Sequence, residues 1–125
     1  MTFADDLLAE AGGEPIVYVV IGESDPFGRG AVQVFDGQFV VGLYDGDVRY
    51  VPGLARKGEM LTWDEAQPLL DYDYDTGCGL RDCHAVYAWT ATRVLFVVEY
   101  DGATWISSAP RNPSSSIIPR TYGKS

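Results

Sequence analysis

Three aspartates at alternate positions, Asp71, Asp73 and Asp75, have the spacing that most suggests chemistry. With Asp82 at the twelfth position counted from Asp71, they resemble the start of a calcium-binding loop. Such a loop needs glycine at its sixth position, where this chain has Thr76, and a helix that leads into it. The sequence does not indicate that helix, so we predict no metal site. The alternation instead favours an edge or half-buried strand, with tyrosines inward and aspartates in solvent.

A second group of reactive side chains follows, formed by Cys78, Cys83 and His84 beside Asp82. Zinc needs about four ligands, usually two pairs, and the sequence contains no second cluster. A catalytic Cys–His pair would need a positioned base and an oxyanion site, and neither can be recognised here. A disulfide between the cysteines would require an oxidising compartment. We interpret the group as a glycine-rich connection with two half-buried cysteines, and we predict no catalytic residue and no cofactor.

The charge of the chain is large and unevenly distributed. All eighteen acidic residues lie between Asp5 and Asp101 together with six of the nine bases, so residues 1–101 carry −12 and residues 102–125 carry +3. A body of this sign repels phosphate backbones, which argues against direct binding to nucleic acid, and it attracts basic protein surfaces. Solubility alone also accounts for a net charge of this size.

Two short helices are predicted to hold these residues in place. Thr2 is a suitable N-cap for the first, which has Asp5 and Asp6 in its first turn and Gly12 after its end. One face of this helix would bury apolar residues spaced by four positions: Phe3, Leu7 and Ala11.

The second helix should start near Trp63, since Thr62 and Glu65 have the spacing of a capping box. Pro68 should limit how far this helix runs upstream of it. The preceding segment, 52–59, is predicted to be a turn that links two elements.

The remaining elements are predicted to be antiparallel strands. Asp-Gly pairs at 36–37, 45–46 and 101–102 separate apolar runs and indicate tight hairpins, because this dipeptide adopts positive φ angles readily. The first two pairs predict a three-stranded meander from residue 32 to residue 51. Further strands are predicted at 16–21 (apolar throughout and therefore central), 85–90, 93–100 and 104–108.

These elements predict an α+β fold, with a mostly antiparallel β sheet or partly open barrel, one or two short helices and an extended C-terminal tail. A length of 125 residues fits one domain, which we place at 1–110, followed by a Pro/Ser-rich, weakly basic tail at 111–125. Acidic residues stand where a signal peptide needs bases, and the longest apolar run has six residues. We therefore expect a cytoplasmic protein that does not bind membranes.

Three segments of the second half, YDYDTG at 72–77, YDGATW at 100–105 and PRNP at 110–113, resemble segments of small uncharacterised accessory proteins of actinobacterial phages. The resemblance implies a phage or mobile-element origin, and with it we expect the protein in the cytoplasm of a host bacterium. It implies no particular activity.

The charge and this resemblance together predict a non-enzymatic protein that binds, and thereby inhibits, a basic surface of a host protein. The predicted contact residues are aspartates of the acidic body and arginines of the basic tail: Asp71, Asp73, Asp75, Asp82, Arg111 and Arg120. One alternative is a virion or assembly component that forms a homo-oligomer through the tail. A second alternative is a small enzyme that depends on a metal held by the aspartates, or on Cys83 with His84.

Overall fold

The computed structural model describes residues 2–22, 32–35, 38–42, 48–50, 52–74, 83–101, 103–115 and 118–119. Its elements follow the order α1 (Phe3–Ala11), β1 (Tyr18–Ile21), β2 (Val32–Phe35), β3 (Gln38–Gly42), β4 (Val48–Tyr50), a 3₁₀ helix (Pro52–Arg56), β5 (Leu61–Thr62), α2 (Trp63–Leu70), β6 (Val86–Trp89), β7 (Arg93–Tyr100) and β8 (Ala103–Pro110). The α+β class predicted from the sequence is therefore confirmed.

A five-stranded antiparallel sheet in the order β5-β1-β6-β7-β8 is the larger of two sheets in the described residues. The strands at its two ends, β5 and β8, do not pair with each other, so the sheet does not close into a barrel. The predicted central position of β1 is confirmed, since Tyr18 pairs with Thr62 on one side and with Trp89 on the other. The strand begins at Tyr18 rather than at Ile16, which is buried ahead of it.

The hairpin of β7 and β8 is the longest pairing of this sheet, running from Arg93 opposite Pro110 to Tyr100 opposite Ala103. Asp101 begins the connecting turn with a φ of 51°, the left-handed conformation that a two-residue hairpin turn requires. The bounds predicted for β7 are confirmed. The returning strand β8 is longer than predicted because its pairing continues to Pro110.

The smaller sheet contains β2, β3 and β4 in sequence order, which confirms the predicted meander. Val34 pairs with Phe39 across the first hairpin, and Val41 pairs with Arg49 across the second. The Asp-Gly pairs predicted to form these two turns, at 36–37 and 45–46, lie outside the described residues.

Both helices begin with a complete capping box, which the sequence predicts for α2, whereas for α1 it predicts only that Thr2 is the N-cap. The Thr2 hydroxyl accepts a hydrogen bond from the amide of Asp5, whose carboxylate in turn accepts one from the Thr2 amide. Gly12 ends α1 with a φ of 66°. The sequence predicts that Pro68 limits how far the second helix runs upstream of it. In the structure Pro68 lies within α2, and five helical residues precede it.

One face of the five-stranded sheet packs against the helices and forms the core. Its buried apolar residues come from α1, α2, β1, β5, β6, β7 and the connections between them: Phe3, Ala4, Leu7, Ala11, Ile16, Val19, Ile21, Leu61, Ala66, Leu70, Cys83, Val86, Ala88 and Leu95. Among the described residues no helix has the length and apolarity needed to cross a membrane.

The segment predicted to be a linking turn contains the 3₁₀ helix instead, and its backbone lies close to the core. A Cβ placed on Gly53 would stand 2.9 Å from Nε2 of His84 and 3.1 Å from Cδ1 of Ile21. Glycine is therefore the residue type that lets this short helix approach the imidazole.

Candidate binding surface

The segment that follows α2 carries two of the predicted contact residues in the alternation that the sequence suggests. Asp71 and Asp73 are exposed, whereas Tyr72 and Tyr74 are half-buried and pack against the core. The segment pairs as a strand at a single point, the antiparallel bridge between Asp73 and Thr2. The predicted direction of the side chains is confirmed, although a continuous strand does not form among the described residues.

Aromatic stacking on Phe3 positions this segment against α1. The ring of Phe3 stacks on Tyr72 at a centroid distance of 5.8 Å and meets Tyr74 edge-on at 5.1 Å. The amide of Phe3 also donates a 2.8 Å hydrogen bond to the carbonyl oxygen of Tyr72. Because Phe3 is fully buried, these contacts fix the backbone that carries Asp71 and Asp73.

Hydrogen bonds bring the aspartates of the first turn of α1 to the same place. The hydroxyl of Tyr74 donates a 2.6 Å bond to Oδ2 of Asp6. The amide of Thr2 donates a 3.2 Å hydrogen bond to Oδ2 of Asp5. Thr2 also pairs with Asp73 through the backbone bridge. We refer to the surface formed by Asp5, Asp6, Asp71 and Asp73 as the acidic face.

The two described segments that form the acidic face contain no basic residue. Residues 2–22 hold four acids and residues 58–74 hold five, and neither range includes a lysine, an arginine or a histidine. Contacts between α1 and the segment after α2 place these two ranges side by side. The two segments that form the acidic face therefore carry charges of one sign, which favours Lys- or Arg-rich partners.

A buried histidine lies beneath the same segment. Nδ1 of His84 is 2.6 Å from the hydroxyl oxygen of Tyr72, and that oxygen accepts a 2.8 Å hydrogen bond from the His84 amide. His84 and the neighbouring Cys83 are both fully buried. The pair is enclosed in the core, which leaves a substrate no access to it.

The start of α2 forms a separate group of charges. Arg56 donates hydrogen bonds to Glu59 and Glu65, and both carboxylates raise the pKa of its guanidinium. The pKa of Glu65 is lowered, first by the backbone hydrogen bond from Thr62 and then by Arg56. These groups are solvent-exposed, so the pairs contribute little stability.

Arg111, predicted to contact a partner, attaches the start of the tail to its own chain. Its amide donates to the carbonyl oxygen of Thr92, and Nη1 donates a 2.6 Å bond to the carbonyl oxygen of Thr90. Asn112 adds a longer bond to Ala91. The turn between β6 and β7 therefore holds residues 111–112 within the same molecule.

The carboxylate of Glu14 binds the same turn from the other side. It accepts hydrogen bonds from the hydroxyls of Thr90 and Thr92 at 2.6 and 2.8 Å. These two hydrogen bonds, and to a smaller extent the positive charge of Arg93, lower the pKa of Glu14 from its ordinary value. The buried hydroxyl of Ser108 accepts from Arg93 and donates to Glu10 nearby. This cluster joins the end of α1 to β7 and β8.

Several predicted site residues lie outside the described part of the chain: Asp75, Asp82, Arg120 and Cys78. The prediction that no helix leads into the row of aspartates is wrong, because α2 ends directly before Asp71. The position that needs glycine in a calcium loop is still Thr76. Within the described residues no group of three or more potential ligands for a metal ion is found.

A cavity of about 680 Å³ lies over the sheet, and most of its lining belongs to the face turned away from the helices. Val20, Tyr87, Val94 and Phe96 line it, with Gly22 and Ala85 at one end. The described part of its lining contains no acid, no base and no nucleophile other than the Tyr87 hydroxyl. These described residues do not form the converging polar groups that are typical of an active site.

Asp5 and Asp6 are two residues of the acidic face that the sequence did not indicate as contact residues. The aspartates suggest helix capping, and their proximity to Asp73 depends on a contact between distant parts of the chain. The available signal was the apolar alternation of Tyr72 and Tyr74, which needs a buried partner such as Phe3.

In the comparisons with known proteins, no protein-family model, no curated protein and no solved structure matches this chain.

Proposed function

We propose that this chain is a non-enzymatic binding protein whose acidic face occupies a basic surface of another protein. The resemblance of its second half to phage accessory proteins supports a host protein as that partner. Occupying a basic surface would block whatever the host protein binds there, so the expected effect is inhibition.

The observation that carries this proposal is the joining of two acidic segments over a buried aromatic anchor. Tyr74 binds Asp6 through its hydroxyl while its ring packs on Phe3. Asp73 is held opposite Thr2 by the backbone bridge. Carboxylates fixed in this way lose little conformational freedom on binding, which favours affinity.

The electrostatics of the surface support a charged partner. Like charges that lie close together repel one another, and a complementary Lys- or Arg-rich surface relieves that repulsion on binding. Binding of this kind is fast at low ionic strength and weakens as salt screens the field. We therefore expect a strong dependence of affinity on salt concentration.

The proposed surface does not include Arg111. The backbone and the guanidinium of Arg111 both bind the turn at 90–92 of the same molecule. Its observed contacts therefore support a role in attaching the tail.

The test is a quantitative capture experiment from bacterial host lysate, with the immobilised chain as bait at about 0.05 M and about 0.5 M salt. Asp71→Asn with Asp73→Asn removes two charges from the acidic face. Asp64→Asn with Asp101→Asn removes two exposed charges elsewhere and gives the same net charge.

The proposal expects one basic protein that wild type and the control variant capture at low salt. The acidic-face variant should lose that protein, and high salt should release it. Equal capture by the two variants would refute the acidic face as the binding surface. Capture that survives high salt would refute the electrostatic mechanism.

A further inference from the structure

The turn between β6 and β7 binds two distant parts of the chain through the same two residues. The hydroxyls of Thr90 and Thr92 both donate to the carboxylate of Glu14, at 2.6 and 2.8 Å. The carbonyl oxygens of the same threonines accept hydrogen bonds from Arg111, one from its guanidinium and one from its amide. Each threonine therefore joins Glu14, through its side chain, to Arg111, through its backbone.

Two glycines bring Glu14 to this turn. Gly12 and Gly13 follow α1 with φ angles of 66° and 97°, which glycine adopts at little cost. The amide of Glu14 then donates a 3.2 Å hydrogen bond to the carbonyl oxygen of Ala11. The backbone of this reversal sets the direction in which the carboxylate leaves the end of the helix.

The hydroxyl of Thr90 shapes the turn. Besides donating to Glu14, it accepts the amides of Thr92 and Arg93 at 3.3 and 3.0 Å. A hydroxyl has one hydrogen and two lone pairs, so these three bonds use all of them. Thr90 is fully buried, and the Glu14 carboxylate is a closer acceptor for its hydrogen than the Arg93 carbonyl oxygen at 3.5 Å. The carboxylate therefore orients the hydroxyl on which two amides of the turn depend.

The other side of the turn holds the start of the tail. Nη1 of Arg111 lies 2.6 Å from the Thr90 carbonyl oxygen, and its amide nitrogen lies 3.0 Å from that of Thr92. Asn112 adds a 3.4 Å bond to Ala91. The sequence that follows, residues 113–125, contains two bases and no acid. The attachment at 111–112 therefore sets where a basic segment leaves the domain.

We propose that Glu14 and Arg111 form the two sides of a clasp on the turn 90–93, in which the Glu14 carboxylate keeps the turn in the shape that holds the start of the tail. Hydrogen bonds to an ionised acceptor are stronger than neutral ones, so the carboxylate is the stronger side of the clasp. Without it, the two threonine carbonyls no longer converge on Arg111 and residues 111–112 detach. The clasp contains no residue of the acidic face.

Hydrogen exchange of the Arg111 amide tests the clasp, because this amide donates to the carbonyl oxygen of Thr92. Glu14→Ala removes the acceptor of both hydroxyls, so protection of the Arg111 amide should fall about tenfold. Asp64→Ala removes an exposed carboxylate from α2 and is the matched control, which should leave this protection unchanged. The amide of Leu95, in the middle of the sheet, should keep its protection in both variants.

A second pair of variants changes the turn itself. Thr92→Val removes the hydroxyl that binds Glu14 but keeps the carbonyl that accepts from Arg111, whereas Thr92→Ser keeps both groups. Protection of the Arg111 amide should fall about fivefold with valine and stay near the wild-type value with serine. Because both changes act on the same contact, adding Thr92→Val to Glu14→Ala should cause no further fall.

Unchanged protection of the Arg111 amide in Glu14→Ala would overturn the clasp, since the tail would then be held without the carboxylate. An equal fall in Asp64→Ala, or an equal fall at Leu95, would also overturn it, because the effect would be a general loss of stability. Equal effects of valine and serine at Thr92 would exclude the hydroxyl as the link. These readouts need no partner, so the clasp and the proposed function can fail independently.

Discussion

The hydroxyl of Tyr74 donates a 2.6 Å hydrogen bond to Oδ2 of Asp6, a residue 68 positions earlier in the chain. This bond ties the segment after α2 to the first turn of α1. The same ring contacts Phe3 edge-on, so the polar and apolar ends of Tyr74 serve the same attachment. An amphipathic side chain thus connects the core to the charged surface.

Removal of this hydroxyl in Tyr74→Phe should lower the free energy of unfolding by about 1 kcal/mol, since the ring still packs but the carboxylate loses its donor. Urea denaturation followed by circular dichroism measures the change. Tyr87→Phe is the matched control, because Tyr87 is 57% exposed and its stability effect should stay within about 0.5 kcal/mol. Equal losses in both variants would contradict the assigned role of Tyr74.

Truncation of the anchor itself should be far more damaging. Phe3 is fully buried and contacts both tyrosines, so Phe3→Ala should cost about 3–5 kcal/mol. A loss of that size approaches the whole stability of an ordinary small domain. Leu8→Ala, in the same helix but 38% exposed, is the control and should be much milder in thermal and urea unfolding. A small effect at Phe3 would mean that the anchor is not needed.

Features that depend on neighbouring residues were predictable from the sequence. The capping box at Thr62 needs only residues three positions apart and is present, and Thr2 is the N-cap of α1 as predicted. The turn at Asp101 and the bounds of β7 likewise follow from local patterns. In each case the chemistry that fixes the element lies within a few residues.

Features that depend on contacts between distant segments were not predictable. Nothing local to Tyr18 indicates that it pairs with both Thr62 and Trp89. The burial of His84 likewise depends on the approach of Gly53 and Tyr72 from other elements. Half of the acidic face was missed for the same reason, since Asp5 and Asp6 join it only through tertiary contacts.

The capping box of α2 gives a further prediction. Thr62→Ala removes the hydroxyl that accepts from the amide of Glu65 and should cost about 1 kcal/mol. Thr62→Ser keeps a hydroxyl at the N-cap and should retain most of the stability. Equilibrium unfolding of the three proteins at one pH compares them directly. If serine destabilises as much as alanine, the capping bond is not the source of the effect.

The pKa of Glu14 gives a prediction with a defined direction in pH. The hydroxyls of Thr90 and Thr92 lower this pKa below 4.5, so folding favours the ionised carboxylate. The resulting stability is present above the unfolded-state pKa and is lost as the pH falls through the lower, folded-state value. Glu14→Gln should therefore be less stable than wild type at pH 6. The two should converge as the pH falls through the folded-state pKa.

Unfolding midpoints measured for Glu14→Gln and wild type from about pH 6 to about pH 3 test this convergence. Asp101→Asn is the control, since it removes one exposed carboxylate at a turn where asparagine tolerates the positive φ of 51°. That control measures what the loss of one exposed carboxylate does across the same range. A pH-independent difference between Glu14→Gln and wild type would show that ionisation of Glu14 does not stabilise the fold. The hydroxyls of Thr90 and Thr92 would then serve only to position the turn that holds Arg111.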